Sequence, residues 1–388
     1  MGKRKKSFVS SKVGSLRQKR IGVIGIDRQF PNSSLSNFGK LYADIGMNTG
    51  NLMFMEAIFS LIGGDLSQIK FNFDPKFVNK NYDSVVVPAA NWLNSYSDWD
   101  FLTQKLLELE IPVTVIGLGL QADVYDLEKV QVSDSARRLA QFFSQSSSLI
   151  SVRGNFTRDW LLSIGIDNVV TTGCPSIYMN NFNQSEVPPG GKIVFQGTRY
   201  SISNKFLDTN SINRRMYKFA ASFNCPMIYQ SEPEEIELLT SHVSAVSLGS
   251  DKQNQLMSLY DCSTIKELDN FLSTKGNVFY DLQSWSNFLG RNKAVIGTRL
   301  HGSILALNTG RPAILVPHDS RTAEVASFAG IQSLHGPTVR DCQTLQELEA
   351  LFAIDNVQRY QDIRSKNQAT FVQFLKDSNL IPNVERMF

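Results

Sequence analysis

Arg299 and His301, separated only by Leu300 in Thr298-Arg-Leu-His-Gly302, are the residues of this chain best placed to do chemistry. A guanidinium binds phosphate or carboxylate bidentately, and an imidazole exchanges protons near neutral pH. Ahead of them the short apolar run Ala294-Val-Ile296 reads as a buried parallel strand. Behind them residues 303–307 have helix-forming content that stops at Asn308-Thr-Gly310. The pair therefore falls on a strand-to-helix turn. In an open α/β sheet such turns lie at the carboxyl edge, where ligands bind and helix N–H groups point at anions. Gly302 would let a ligand approach the backbone closely. A lone histidine is more often a satisfied core residue, and an arginine near a helix start more often a solvated one. The functional reading rests on finding the two together in this context.

Other residues fall at the same kind of edge. Arg153 follows the apolar run 149–152 and precedes a helical stretch at 156–163. The strand beginning at Pro312 ends in His318, Asp319 and Arg321, a second basic group for a multiply charged anion, although a surface loop would look the same. The polar loop Asp44-Ile-Gly-Met-Asn-Thr-Gly-Asn51 opens an apolar helix at 52–62. It offers Asn48 and Asn51 to hydroxyl groups, or is an ordinary N-cap turn. Asn91 in Ala89-Ala-Asn91 and Gln121 in Gly119-Leu-Gln-Ala122 end two further strands. Trp92 suits either a sugar ring or the core, more simply the core.

Thr298-Arg-Leu-His-Gly-Ser-Ile-Leu-Ala-Leu307 followed by Gly310-Arg-Pro-Ala-Ile-Leu315 resembles the signature of the polysaccharide pyruvyl transferase family. Ser151-Val-Arg-Gly-Asn-Phe-Thr-Arg158, then Leu162, Gly165 and Thr172-Gly-Cys-Pro-Ser176, resembles that family's middle region, so the likeness spans roughly residues 44–335. Two motifs in the correct order are far more specific than either alone. The resemblance implies a GT-B-like fold, two Rossmann-like doubly wound parallel-sheet domains facing a cleft. It also implies transfer of pyruvate from phosphoenolpyruvate onto two sugar hydroxyls as a ketal, with no cofactor or metal. Two departures are visible: Gly50-Asn51 stands where the family commonly has Gly-Asp, and Ala89-Ala-Asn91 where many relatives have glycines. Asn51 can hydrogen-bond a sugar but has no base to offer.

At 388 residues the chain is long enough for two ordinary domains. A hydrophobic content of 42% with 19% charged residues describes a globular protein, and no run approaches the roughly 20 apolar residues of a membrane helix. The N-terminus carries charge without the apolar stretch of a secretory signal. Cys174, Cys225, Cys262 and Cys342 are scattered with no C-x-x-C spacing, which indicates neither a zinc site nor a disulfide framework and fits a reduced, cytoplasmic compartment. The net charge is +3, yet residues 1–20 carry +8 with no acid, leaving −5 (+3 less +8) on the rest. Such a body is no nucleic-acid binder. The basic tail reads as disordered, either solubilising or drawn to anionic phospholipid.

Strands and helices alternate from residue 21 onward, with strands expected near 21–26, 83–88, 111–118 and 149–152. The 27–43 segment reads as an irregular connection. The Asn-, Pro- and Gly-rich stretch 180–191 reads as the linker. Strands then recur at 192–196, 226–229, 243–248, 278–280 and 293–297, with helices within 253–272 and over 344–375. The expected division is a tail (1–20), an acceptor-side domain (21–185), a donor-side domain (186–345) and C-terminal helices (346–388), the last crossing back to the first domain.

In the scheme the resemblance implies, Arg153, Arg299, His318, Arg321 and Gly302 hold the donor. Asn48, Asn51, Asn91 and Gln121 meet the acceptor, a sugar or lipid-linked oligosaccharide, and His301 moves protons beside Arg299. A GT-B glycosyltransferase using a nucleotide sugar, or an inactive carbohydrate-binding relative, are the alternatives, and the donor that raises the melting temperature separates them.

Overall fold

Val- and Ile-rich runs that alternate with helices bury both faces of a parallel sheet, and this chain builds two such sheets. The computed structural model describes residues 18–28, 30, 37–180, 182, 190–199 and 211–387. In the first domain β1 (Arg20–Ile24) is followed by β2 (Ile62–Gly63), β3 (Asp65–Ile69), β4 (Ser84–Pro88) and β5 (Val113–Ile116). Four of these form an all-parallel sheet in the order β3-β1-β4-β5. Parallel bridges from Leu93 to Leu120 and from Leu118 to Val152 carry the edge on to β6 (Ile150–Val152), which pairs with β7 (Val169–Thr171). The second domain comprises β8 (Ile193–Gln196), β9 (Met227–Ile228), β10 (Gly276–Asn277), β11 (Ala294–Gly297), β12 (Ala313–Leu315) and β13 (Gln332–Ser333). Its order is β10-β9-β8-β11-β12-β13, again all parallel. Two parallel-sheet domains with a cavity between them make the architecture GT-B-like.

Each sheet has its own core, and a third cluster joins them. That cluster runs from Met53, Phe54 and Ile58 through Cys174–Met179 to Leu300, Ile304 and Leu307, and on to Phe371 and Leu375. Helix Leu300–Asn308 is buried at every residue, and helix Gly50–Leu61 buries eight. A helix apolar all round belongs inside a protein. Each fully buried Leu or Ile contributes about 1.5–3 kcal/mol, so packing fixes where both helices begin. The long helix Asn356–Asp377 crosses this cluster, with the Tyr360 hydroxyl donating to Asn308 Oδ1 at 2.8 Å. The chain then returns to the first domain, where β14 (Ile381–Pro382) pairs antiparallel with β2 and Asn383 N donates to Leu61 O at 2.8 Å. Among the described residues no helix is long and apolar enough to cross a membrane.

Several local expectations are corrected. Residues 243–248 form no strand: His242 turns left-handed (φ 54°), and Ala245–Ser247 make a 3-10 turn whose Ala245 N donates to Asp269 Oδ1 at 2.8 Å. The sheet edge is occupied by β10, two residues ahead of the strand expected at 278–280. The helices expected within 253–272 are Ser250–Tyr260 and Ile265–Lys275, parted at the left-handed Asp261 (φ 59°), whereas the stretch expected to be helical over 344–375 divides into Leu345–Ala350 and Asn356–Asp377. The supposedly irregular 27–43 stretch contains most of a helix, Phe38–Asp44. Strand β3 leaves no apolar run in the sequence, because it is an edge strand that fully buries only Ile69. The basic tail falls almost wholly on residues outside the described set, as does most of the 180–191 linker with the expected boundary at 185/186.

Candidate functional site

Two loop-to-helix junctions, one from each domain, meet at the cleft. On the first domain the 45–50 loop leads into helix Gly50–Leu61; on the second, β11 leads into helix Leu300–Asn308. Direct bonds join them: Thr49 N donates to Gln230 O at 2.8 Å, and the Tyr42 hydroxyl donates to Ser231 O at 2.7 Å. Between the junctions is a cavity of about 450 Å³ whose wall includes Arg153, Arg299, His301, His318 and Arg321. This volume suits a small metabolite rather than a chain of sugars.

Arg299 is the extended N-cap of its helix, and its side chain is buried. Its Nε donates to Gly197 O at 2.9 Å. Its Nη2 donates to Ser231 Oγ and lies 3.3 Å from Glu232 Oε1. Glu232 is itself fully buried; it accepts from Tyr217 OH (2.9 Å), Gln230 N (2.7 Å) and Ser231 N (2.8 Å). One edge of the Arg299 fork is thus committed to the protein. Arg153 leaves the end of β6 beneath the cavity, with Nε donating to Gly117 O at 2.9 Å and the guanidinium 4.9 Å from the centre of the Phe54 ring. Its Nη2 is buried with no hydrogen-bond partner among the described residues. Burial draws this guanidinium below its ordinary pKa. An unpaired buried cation is costly, and an anion would relieve it.

His301 is buried between the domains. Its Nε2 lies 3.8 Å from Cys174 Sγ, and its Nδ1 lies so close to Gly50 that a Cβ there would stand 2.9 Å away. Burial, then Arg153, Arg321 and Arg299, drive its pKa well below the ordinary value, so the imidazole is neutral at pH 7. His318 is lowered to about 4, chiefly by burial against the opposing pull of Asp319, and its Nδ1 has no partner among the described residues. Asp319 caps helix Ser320–Ala329 and accepts from Arg321 Nη2 at 3.0 Å. Burial pushes its carboxyl up, but Arg321, His318 and the Thr322 hydrogen bonds hold it below its ordinary value.

Among the acceptor candidates, Asn48, Asn51 and Asn91 line the cavity. Asn48 Oδ1 accepts from Gly50 N at 2.9 Å, and Asn51 Nδ2 donates to Ile45 O at 3.2 Å, so both also shape their loop. Gln121 stands one step behind the wall, its Oε1 accepting from Asn91 Nδ2 and from the Tyr96 hydroxyl. Gly302 is corrected outright: it is not on the wall, and a Cβ there would lie 2.0 Å from Gln196 Oε1. The glycine admits a buried glutamine, not a ligand. Gln196 in turn holds Arg299 O and Ser303 Oγ, each at 3.0 Å.

Sequence reading missed Tyr42, Tyr96, Gln230, Glu232 and Glu324. The signal for Gln230 and Glu232 was present, since Gln230-Ser-Glu232 lies between a strand and a helix at the same sheet edge as Arg299. Glu324 gave none. Its carboxylate accepts from Thr157 N (2.9 Å) and Thr157 Oγ1 (2.7 Å) across the domain seam.

No curated protein matches the sequence. Among solved structures, the UDP-GlcNAc 2-epimerase of Methanocaldococcus jannaschii is similar at 11% identity and a TM-score of 0.46, over 91% of this chain and 99% of that one. The UDP-GlcNAc 2-epimerase of Neisseria meningitidis is similar at 10% identity and a TM-score of 0.43, over 92% and 99%. At these TM-scores neither carries an argument about function. The family model for polysaccharide pyruvyl transferase matches residues 22–320, most of the 388-residue chain and nearly all of the cavity wall, and the chain belongs to the polysaccharide pyruvyl transferase family.

Proposed function

We propose that the protein transfers pyruvate from phosphoenolpyruvate to two hydroxyls of a sugar in a surface-polysaccharide precursor, forming a cyclic ketal and releasing phosphate. The observation that carries this reading is Arg153 Nη2, buried and without a hydrogen-bond partner among the described residues, on the wall of a cavity that also holds Arg299, Arg321 and a neutral His301. Phosphoenolpyruvate places a carboxylate and a phosphate on three carbons, which suits several guanidinium groups around a small space. Protonation of C3 from solvent makes C2 electrophilic, and the neutral imidazole takes the proton of the first sugar hydroxyl as that oxygen adds to C2. The resulting imidazolium, stabilised by the bound anions, returns that proton to solvent. The second hydroxyl then displaces phosphate, which carries its proton away, so bonds and protons balance.

The test is a pair of measurements on the full chain. Phosphoenolpyruvate at about a hundredfold excess over its dissociation constant contributes about 2.7 kcal/mol of apparent stability and should raise the melting temperature. Incubation with galactosides, glucosides and N-acetylmannosaminides should then release phosphate with one of them. A melting curve unmoved by millimolar phosphoenolpyruvate but shifted by a nucleotide sugar would hand the site to a glycosyltransferase.

A further inference from the structure

Tyr96 is 69% exposed on the cavity wall, yet it is not a loose surface side chain. Its hydroxyl donates to Gln121 Oε1 at 3.0 Å, and its backbone N donates to Asn94 Oδ1 at 3.1 Å. Asn94 is buried to 1% exposure and organises the loop: the same Oδ1 accepts from Ser97 N at 2.7 Å, and Nδ2 donates to Asn91 O at 2.9 Å. From the neighbouring helix start, Ser133 N donates to Asn94 O (2.9 Å) and Ser133 Oγ to Ser97 O (2.8 Å). Tyr96 is thus held at its backbone and at its hydroxyl while most of its surface remains exposed. It offers a rigid face at little entropic cost to whatever covers it.

Its neighbour completes a recognisable chemistry. Asn91 Nδ2 is committed to the same Gln121 Oε1, which sets the orientation of the amide and leaves Asn91 Oδ1 to accept a hydroxyl proton. A ligand that matches a flat apolar face next to a hydrogen-bond acceptor has C–H groups on one side and hydroxyls around its rim. The described wall also carries Asn48, Asn51, Ala90 and Asn91, with Arg153 at the end of β6 close to Ala90, while Arg299 and Arg321 come from β11 and the loop after β12.

We propose that Tyr96 is the stacking platform of an acceptor subsite that takes the apolar face of a pyranose ring, with Asn91 beside it receiving one of the ring hydroxyls. This rests on the pyruvyl-transfer reading only in naming the sugar as the second substrate. The experiment uses the full chain as wild type, Tyr96→Ala and Tyr96→Phe. Saturation-transfer NMR with the methyl glycosides of galactose, glucose and N-acetylmannosamine, without phosphoenolpyruvate, reads the contact directly. The acceptor KM in the phosphate-release assay reads it in turnover. Wild type should transfer saturation to the C–H groups of one ring face. Tyr96→Ala should weaken sugar binding and raise acceptor KM by about tenfold, while Tyr96→Phe, which keeps the ring, stays within about threefold. The melting shift with phosphoenolpyruvate should be the same in all three. The platform is overturned if Tyr96→Ala binds the glycosides as wild type does, or if none of the glycosides contacts the wild-type protein. Sugar binding that depends on Tyr96 in a protein that ignores phosphoenolpyruvate would keep the platform and sink the donor assignment.

Discussion

Arg299 and Arg321 both face the cavity, but they have different obligations behind it. Removing Arg299 strips the counter-ion from Glu232, which is fully buried. Arg299→Ala should therefore cost on the order of 3–5 kcal/mol of stability as well as donor affinity. Arg321→Ala leaves Asp319 with its Thr322 hydrogen bonds and should weaken donor binding with a much smaller loss. Thermal melts with and without phosphoenolpyruvate separate the two; equal melting temperatures for wild type and Arg299→Ala would mean the Glu232 socket carries no weight. For His301, replacement by Gln should lower kcat by about 10²–10⁴ while the phosphoenolpyruvate melting shift persists. Because burial and three arginines hold the imidazole neutral in the free protein, the acid limb of kcat/KM, corrected for phosphate ionisation, should lie well below the histidine range. Turnover within a few-fold of wild type would remove His301 from proton transfer.

At the scale of elements, the seam between helices Asn155–Ser163 and Ser320–Ala329 is held by a carboxyl. Glu324 accepts two hydrogen bonds from Thr157, in the first turn of the facing helix, and burial raises its pKa to about 7 despite them. The sign follows from linkage. A carboxyl with a folded pKa above its unfolded value holds its proton longer when folded, so its contribution is full below about pH 4 and is lost as pH rises through about 7. His318 works the other way: with a folded pKa of about 4 its contribution is lost as pH falls below its unfolded value of about 6.5. Glu324→Gln isolates the first effect. Relative to wild type the variant should gain about 3 kcal/mol between pH 4.5 and 8, measured by denaturant unfolding across that range. Parallel stability curves for the two proteins would show that Glu324 does not titrate in the folded state.

For the whole molecule, the C-terminal return is what closes the cavity's supporting core. Helix Gly50–Leu61 begins at the site and ends at β2, whose partner is β14. Arg364 donates to Met387 O at 3.2 Å and Asn180 N to Arg386 O at 3.2 Å. Ending the chain after Asp377 should lower the melting temperature and weaken the response to phosphoenolpyruvate together, since both depend on where that helix is held. A truncated protein with wild-type donor affinity would show that the first-domain half of the site stands without the return.

The alternation of strands and helices, and hence parallel sheets with a ligand edge, is legible in chain order, because buried strands and amphipathic helices write their period into neighbouring residues. So are Arg299 and His301, whose strand, turn and helix are contiguous in the chain. Local order was legible wherever the apolar run was long, as in 294–297 and 52–61, and failed at short edges such as β3 and β10, where burial comes from a neighbour. The remainder depends on contacts between segments far apart in the chain. Gly302 looked like a ligand approach and is a seat for Gln196, 106 residues away in sequence. Glu232, Glu324 and Tyr96 look like ordinary surface letters until distant segments bury, bond or brace them. A side chain's charge state and exposure are set by what packs against it in space, and chain order does not record that.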